Sequence, residues 1–185
     1  YVTDDKNAVQ ALDKTSGAGI WRQDKLAGRN VSAPLALGRH VVVGDLEGYV
    51  HLLSREDGSF AARIETDGDG TLLSTWHCLH ERHPGATRER ISAVLLETLH
   101  QDRVLWLNHG YLEGDDTDAH IDTLARFASP ESIVYQGCQD VADSHFAELG
   151  LMAAELTQLK RKDGQAYQLF ELPWPQPIID NGRRL

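Results

Sequence analysis

The stretch "ARIETDGDGTLLST", residues 62–75, joins two styles of sequence. Alternating apolar and polar residues run into it, acids and glycines of turn character interrupt it, and an apolar run leaves it. Upstream the chain repeats itself. A shift of 41 residues lays Val2 on Val43, Asp4 on Asp45, Val9 on Val50, Leu12 on Leu53 and Gly17 on Gly58. Each copy reads as a short strand, a turn with Asp and Asn or Gly, a second strand, and a Ser-Gly or Asp-Gly turn. Downstream no trace of that period survives.

A period near 40 is the size of a propeller blade, and strand pairs joined by tight turns bury one face against the next copy. About two blades are present, which predicts open sheet edges. Past residue 70 the pattern predicts helices and strands in alternation. "TLLSTWHCL" reads as a strand. "TRERISAVLLETLH" places Ile91, Val94, Leu95 and Leu99 on one helical face, with Thr87 as N-cap. "RVLWLNHG" reads as a short apolar strand, and "HIDTLARF" and "SIVYQGC" as strands joined through "ASPE". "SHFAELGLMAAELTQLKRKDG" is a helix opening at Ser144, with Phe146, Leu149, Ala153, Leu156 and Leu159 on one face. "YQLFELPWPQP" is a strand ended by prolines. The predicted fold is mixed: β-hairpins of about two propeller-like blades over 1–69, then an α+β segment over 70–185.

Composition narrows the function classes. With 28 acids against 18 bases the net charge is -10, which argues against nucleic acid or an anionic membrane as partner, while small cations and basic proteins stay open. No run approaches the roughly 18 apolar residues of a membrane helix. The first ten residues lack the basic and apolar regions of a signal peptide. Two cysteines, Cys78 and Cys138, are too few for a secreted disulfide scaffold, so a reducing, cytoplasmic setting is expected. His77, Cys78, His80 and His83 are metal-capable but have no second cluster at zinc-ligand spacing. The acids of "TDGDG" lack the closing glutamate of a calcium loop. Neither a metal nor a cofactor is expected.

Two resemblances attach to these residues. "TDDKNAVQALDKTSGAGIWRQD" is similar to a pyrroloquinoline-quinone-type propeller repeat. Residues 1–69, above all "DKLAGRNVSAPLALGRHVVVGDLEGYVHLLSREDG", resemble the BamB family of outer-membrane-assembly lipoproteins, which implies a periplasmic setting if that half dictates. "TLLSTWHCL", "RVLWLNHGYLEGDDTDAHIDTLARF" and "DNGRRL" resemble the agmatine deiminase and bacterial peptidylarginine deiminase family, of the pentein superfamily, from about Ile64 to Leu185. On the deiminase side the resemblance implies a partial pentein, and the pattern as a whole reads as a chimera of two incomplete folds.

The second resemblance implies a site. His120 becomes the general acid and base, and Asp122 the carboxylate that holds two guanidinium nitrogens. On a strand, residues two apart project from the same face toward one substrate, and a carboxylate neutralises a planar cation with paired hydrogen bonds. Asp115, Asp116 and Asp118 orient His120, bind a substrate amine, or simply form a turn. The family pattern has Gly where this chain has Ala119. It also implies a cysteine nucleophile and a second carboxylate from segments outside those that match, with Cys78 and Cys138 at other motif positions. The expectation is a truncated guanidine-modifying domain, without turnover, whose cation is agmatine or arginine-like. The alternative is a non-catalytic acidic module that binds a basic protein such as a toxin, a nuclease or an envelope-assembly component. Open edges predict association into homo-oligomers.

Overall fold

The structure is a computed structural model that describes residues 1–185 except 47, 82, 114–118, 176–178, 181, 182 and 185. It divides into two compact units, residues 1–64 and 65–185.

The first unit is built from β1 (Val2–Thr3), β2 (Val9–Leu12), β3 (Gly19–Gln23), β4 (Leu35–Leu37), β5 (His40–Gly44), β6 (Tyr49–Ser54) and the start of β7 (Phe60–Thr66). β1, β2 and β3 pair in that order, as do β4, β5, β6 and β7. The repeat of 41 is reproduced bond for bond. Asp4 Oδ1 accepts from the Ala8 amide at 2.9 Å, and Asp45 Oδ1 from the Tyr49 amide at 3.0 Å. Gln10 Nε2 donates to Asp4 Oδ2 at 3.0 Å, and His51 Nε2 lies 2.8 Å from Asp45 Oδ2. Gly17 and Gly58 both turn with positive φ, 73° and 76°. At Gly58 the missing Cβ matters twice, since it would also stand 2.5 Å from the Trp21 ring. The core gathers Val9, Leu26, Val41, Val43 and Leu53, with Trp21, Val31 and Phe60 against them.

In the second unit Glu65 and Thr66 of β7 pair antiparallel with Leu73 and Leu72 of β8 (Thr71–Thr75). The chain continues through α1 (Trp76–Glu81) and α2 (Arg88–Leu99) into β9 (Arg103–Leu107), parallel to β8. Trp76 to Leu79, expected to extend the strand, form a helix instead. β8 ends at Thr75, and the helix that follows buries Cys78 and Leu79. Thr87 caps α2, its hydroxyl accepting from the Arg90 amide, and Ile91 and Leu95 are its buried residues, whereas Val94 is exposed.

β10 (Ala125–Ser129), β11 (Ser132–Gln136) and β12 (Gln168–Leu172) form a second sheet, antiparallel then parallel, and α3 (Phe146–Gln158) makes the parallel crossover. β13 (Ile179–Asp180) and β14 (Arg183–Arg184) pair as a short hairpin. α3 buries Leu149, Met152 and Leu156. Phe146, expected in the core, is exposed, because the buried stripe runs one position earlier, through His145 and Met152. Leu73, Leu107, Ile121, Leu124 and Ile133 complete one core with the α3 stripe. The fold is mixed α/β, and among the described residues no sheet closes into a barrel.

Candidate active site

The segment expected to carry the chemistry enters from β9. Its first part, residues 108–113, is tied to α3 by acids on that helix. Glu155 accepts from the Asn108 amide at 2.8 Å, the Asn108 side chain at 2.9 Å, the His109 amide at 3.2 Å and His109 Nδ1 at 2.9 Å. Burial pushes the Glu155 carboxyl up, but the Asn108 and His109 donors outweigh it and hold it below the usual glutamate range. Glu148, seven residues earlier and so on the same helical face, accepts from the Gly110 amide at 3.0 Å. Gly110 has φ 120° and sits where a Cβ would meet Leu124 at 2.8 Å and Met152 at 2.9 Å.

Asp115, Asp116 and Asp118 lie outside the described residues. The chain is described again at Ala119, with φ 58° in the left-handed region that favours glycine. Its carbonyl accepts a buried hydrogen bond from Thr75 Oγ1 at 2.7 Å. His120 follows, 1% exposed. His120 and Asp122 do not share a strand face. Residues 121–123 form a 3-10 turn with His120 at its N-cap, φ −59° and ψ 140°. The strand begins only at Ala125, because Ile121 and Leu124 are both drawn into the core and a strand would send them to opposite faces. Asp122 is half-buried on that turn. The buried imidazole and the half-buried carboxylate, two residues apart in the chain, are carried on a turn rather than a pleat.

Both cysteines are free thiols and buried. Cys138 Sγ lies 3.8 Å from the Asp140 carbonyl. No group of three or more metal-capable side chains comes together among the described residues. No helix there is long and apolar enough to cross a membrane.

Residues 19–185 match the model of the Porphyromonas-type peptidyl-arginine deiminases. The chain belongs to that family. It is 31% identical to an agmatine deiminase of Stutzerimonas stutzeri over 96% of this chain and 48% of that protein. A substrate-bound agmatine deiminase of C. jejuni superposes with a TM-score of 0.62 at 27% identity, over 79% of this chain and 52% of the other. The ancestry is therefore that of agmatine deiminase-like hydrolases. A separate similarity, 54% identity over 65 residues, links 35% of this chain to 17% of the outer membrane protein assembly factor BamB of Burkholderia pseudomallei. Because only 18 residues precede the deiminase match, the two similarities overlap along the chain. The chain spans about half or less of the length of these curated relatives.

The sequence pattern missed the residues that anchor the two flanks of this segment: Thr75, His109, Glu148 and Glu155. One signal was available. Two acids seven apart, on a helix face that also carries Met152, are not where a solvated pair is expected.

Proposed function

We propose that this chain supplies the proton-transfer and cation-holding part of a guanidine deiminase site, with His120 as general acid and base and Asp122 as guanidinium carboxylate, for agmatine or an arginine-like cation. The observation that carries the reading is the burial of His120, two residues before a half-buried Asp122, within a segment of the deiminase family. An imidazole removed from bulk water is suited to pass a proton to a leaving amine, and a carboxylate on the same turn selects a planar cation. Asp115, Asp116 and Asp118 are proposed as acids that raise the local concentration of cations.

The 185-residue chain by itself binds agmatine weakly and does not release ammonia from it. Deimination by covalent catalysis needs a thiolate beside the guanidinium carbon. Cys78 is buried on α1, and Cys138 is buried with its Sγ 3.8 Å from the Asp140 carbonyl. Ammonia release and agmatine binding by calorimetry, on the chain and on Asp122→Asn and Cys138→Ser, test this. Weak binding lost in Asp122→Asn, with no turnover, is the expected result. Turnover that Cys138→Ser abolishes overturns the inactive reading, and binding indifferent to Asp122→Asn overturns the site.

The BamB-like similarity, together with a net charge of -10, favours a second reading, an acidic module for a basic protein partner in the cell envelope. Salt-sensitive capture of a cationic protein by the unmodified chain, with no agmatine binding, selects it. The low cysteine count, Cys78 and Cys138 alone, favours a reducing, cytoplasmic setting instead.

A further inference from the structure

His145 is 4% exposed, belongs to none of the groups assigned above, and is held in one orientation by three elements. It precedes α3 as its N-cap residue, but its side chain does not cap the helix. Instead Nδ1 lies 2.7 Å from Asp143 Oδ1, and Nε2 accepts the Glu113 amide at 2.7 Å. An amide N–H can only donate, so Nε2 is bare and the ring proton sits on Nδ1, facing Asp143. Asp143 is fixed in turn. Its Oδ1 also takes the His145 amide at 3.0 Å, its Oδ2 takes Trp174 Nε1 at 2.9 Å, and the Trp174 ring lies 5.1 Å from the imidazole.

Glu113 is the last described residue before the acid-rich stretch, and Ala119 is the first after it. Each is held by a hydrogen bond to a residue distant in sequence: Glu113 by His145 and Ala119 by Thr75. Ser144 adds a longer contact to the Glu113 carboxylate at 3.4 Å.

We infer that His145 is a positioning residue for the proposed site: its neutral, Nδ1-protonated imidazole fixes the Glu113 amide, seven residues before His120 in the chain. This rests on the deiminase reading for its purpose and on the hydrogen bonds for its mechanism. No proton leaves His145 in the process. The relay from Trp174 through Asp143 to His145 sets the tautomer, and the tautomer makes Nε2 an acceptor.

Nitrogen-labelled chain near neutral pH tests it by long-range imidazole correlations, amide exchange and agmatine titration in the same spectra. In the unmodified chain His145 shows a bare Nε2, and the Glu113 amide exchanges slowly. His145→Phe keeps a ring against Trp174 but removes the acceptor. It speeds Glu113 exchange by about tenfold, the worth of one buried hydrogen bond, moves the His120 ring signals and weakens agmatine roughly fivefold. His145→Gln offers an acceptor and a donor on one amide and restores all three to within about twofold. A protonated Nε2 in the unmodified chain overturns the inference even if His145→Phe does not fold. So does His145→Phe with unchanged His120 signals, or His145→Gln behaving like His145→Phe. If the unmodified chain binds no agmatine, the deiminase reading falls, and the Glu113 and His120 signals alone decide the role of His145.

Discussion

Ala119 occupies a conformation that most L-residues avoid. Left-handed backbone costs a non-glycine residue about 1–2 kcal/mol, yet its side chain is buried at 4% exposure and its carbonyl is anchored by Thr75. Three effects compete in Ala119→Gly. Relief of the left-handed penalty stabilises; the greater freedom of glycine in the unfolded chain costs about 0.4–1 kcal/mol; loss of one buried methyl costs about 0.8 kcal/mol. They nearly cancel. Urea unfolding is expected to place Ala119→Gly within about 1 kcal/mol of the parent, whereas β-branched Ala119→Val, which has no comfortable left-handed state, loses more than about 2 kcal/mol. A large loss for Ala119→Gly, or a tolerated valine, means that the backbone at 119 is not left-handed.

Among the elements, β8 holds the residue before His120 through the Thr75 hydroxyl. Thr75→Val keeps shape and volume but leaves the buried Ala119 carbonyl without its donor, which costs about 1–3 kcal/mol. Thr75→Ser is expected to keep most of that stability, and a loss confined to Thr75→Ser, with Thr75→Val at the parent level, shows that the methyl, not the hydroxyl, matters. The elements themselves were mostly legible in the sequence. The helix of residues 88–99 with its Thr87 cap, the apolar β9 and the proline-ended β12 each follow from a local period or breaker. Expectations failed where tertiary burial overrode local pattern. "HIDTL" alternates like a strand, but Ile121 and Leu124 enter the same core, and only a turn allows that. His145 and Glu155 were not legible, because their partners lie 32 and 46 or 47 residues away. The paired strands of the first unit carry a further expectation. Gln10 and His51 are equivalent in the repeat, but only His51 titrates. Burial lowers its pKa below 6.5 against the opposing pull of Asp45. As pH falls below 6.5 the unfolded chain therefore takes up the proton first, and stability present above that pH is progressively lost. His51→Gln, which copies the Gln10 contact to Asp4, is expected to flatten the pH dependence of unfolding in that range, followed through a fluorinated Trp21 signal. An unchanged slope assigns the acid sensitivity to other groups.

For the whole molecule, charge and exposed edges pull in opposite directions. Ile20 on β3 and Phe170 on β12 are 62% and 52% exposed, and both strands are outer members of their sheets among the described residues. Such edges offer unpaired backbone and apolar side chains to a second copy. At pH 7 a net charge of -10 repels that copy, and near the isoelectric point of about 5.3 the repulsion vanishes. Sedimentation velocity is therefore expected to show one small species at neutral pH and low salt, and larger species as the pH approaches 5.3. High salt at neutral pH is expected to imitate part of that shift, because screening shortens the repulsion to a few ångströms. A lysine placed on the edge adds charge where pairing must occur. Ile20→Lys and Phe170→Lys should suppress association near 5.3. Val141→Lys adds the same charge at a position 77% exposed and outside any strand, so it controls for the shift in net charge and should leave association near the parent level. Equal suppression by all three variants reduces the effect to net charge alone, and association that none of them alters removes the edges from the account.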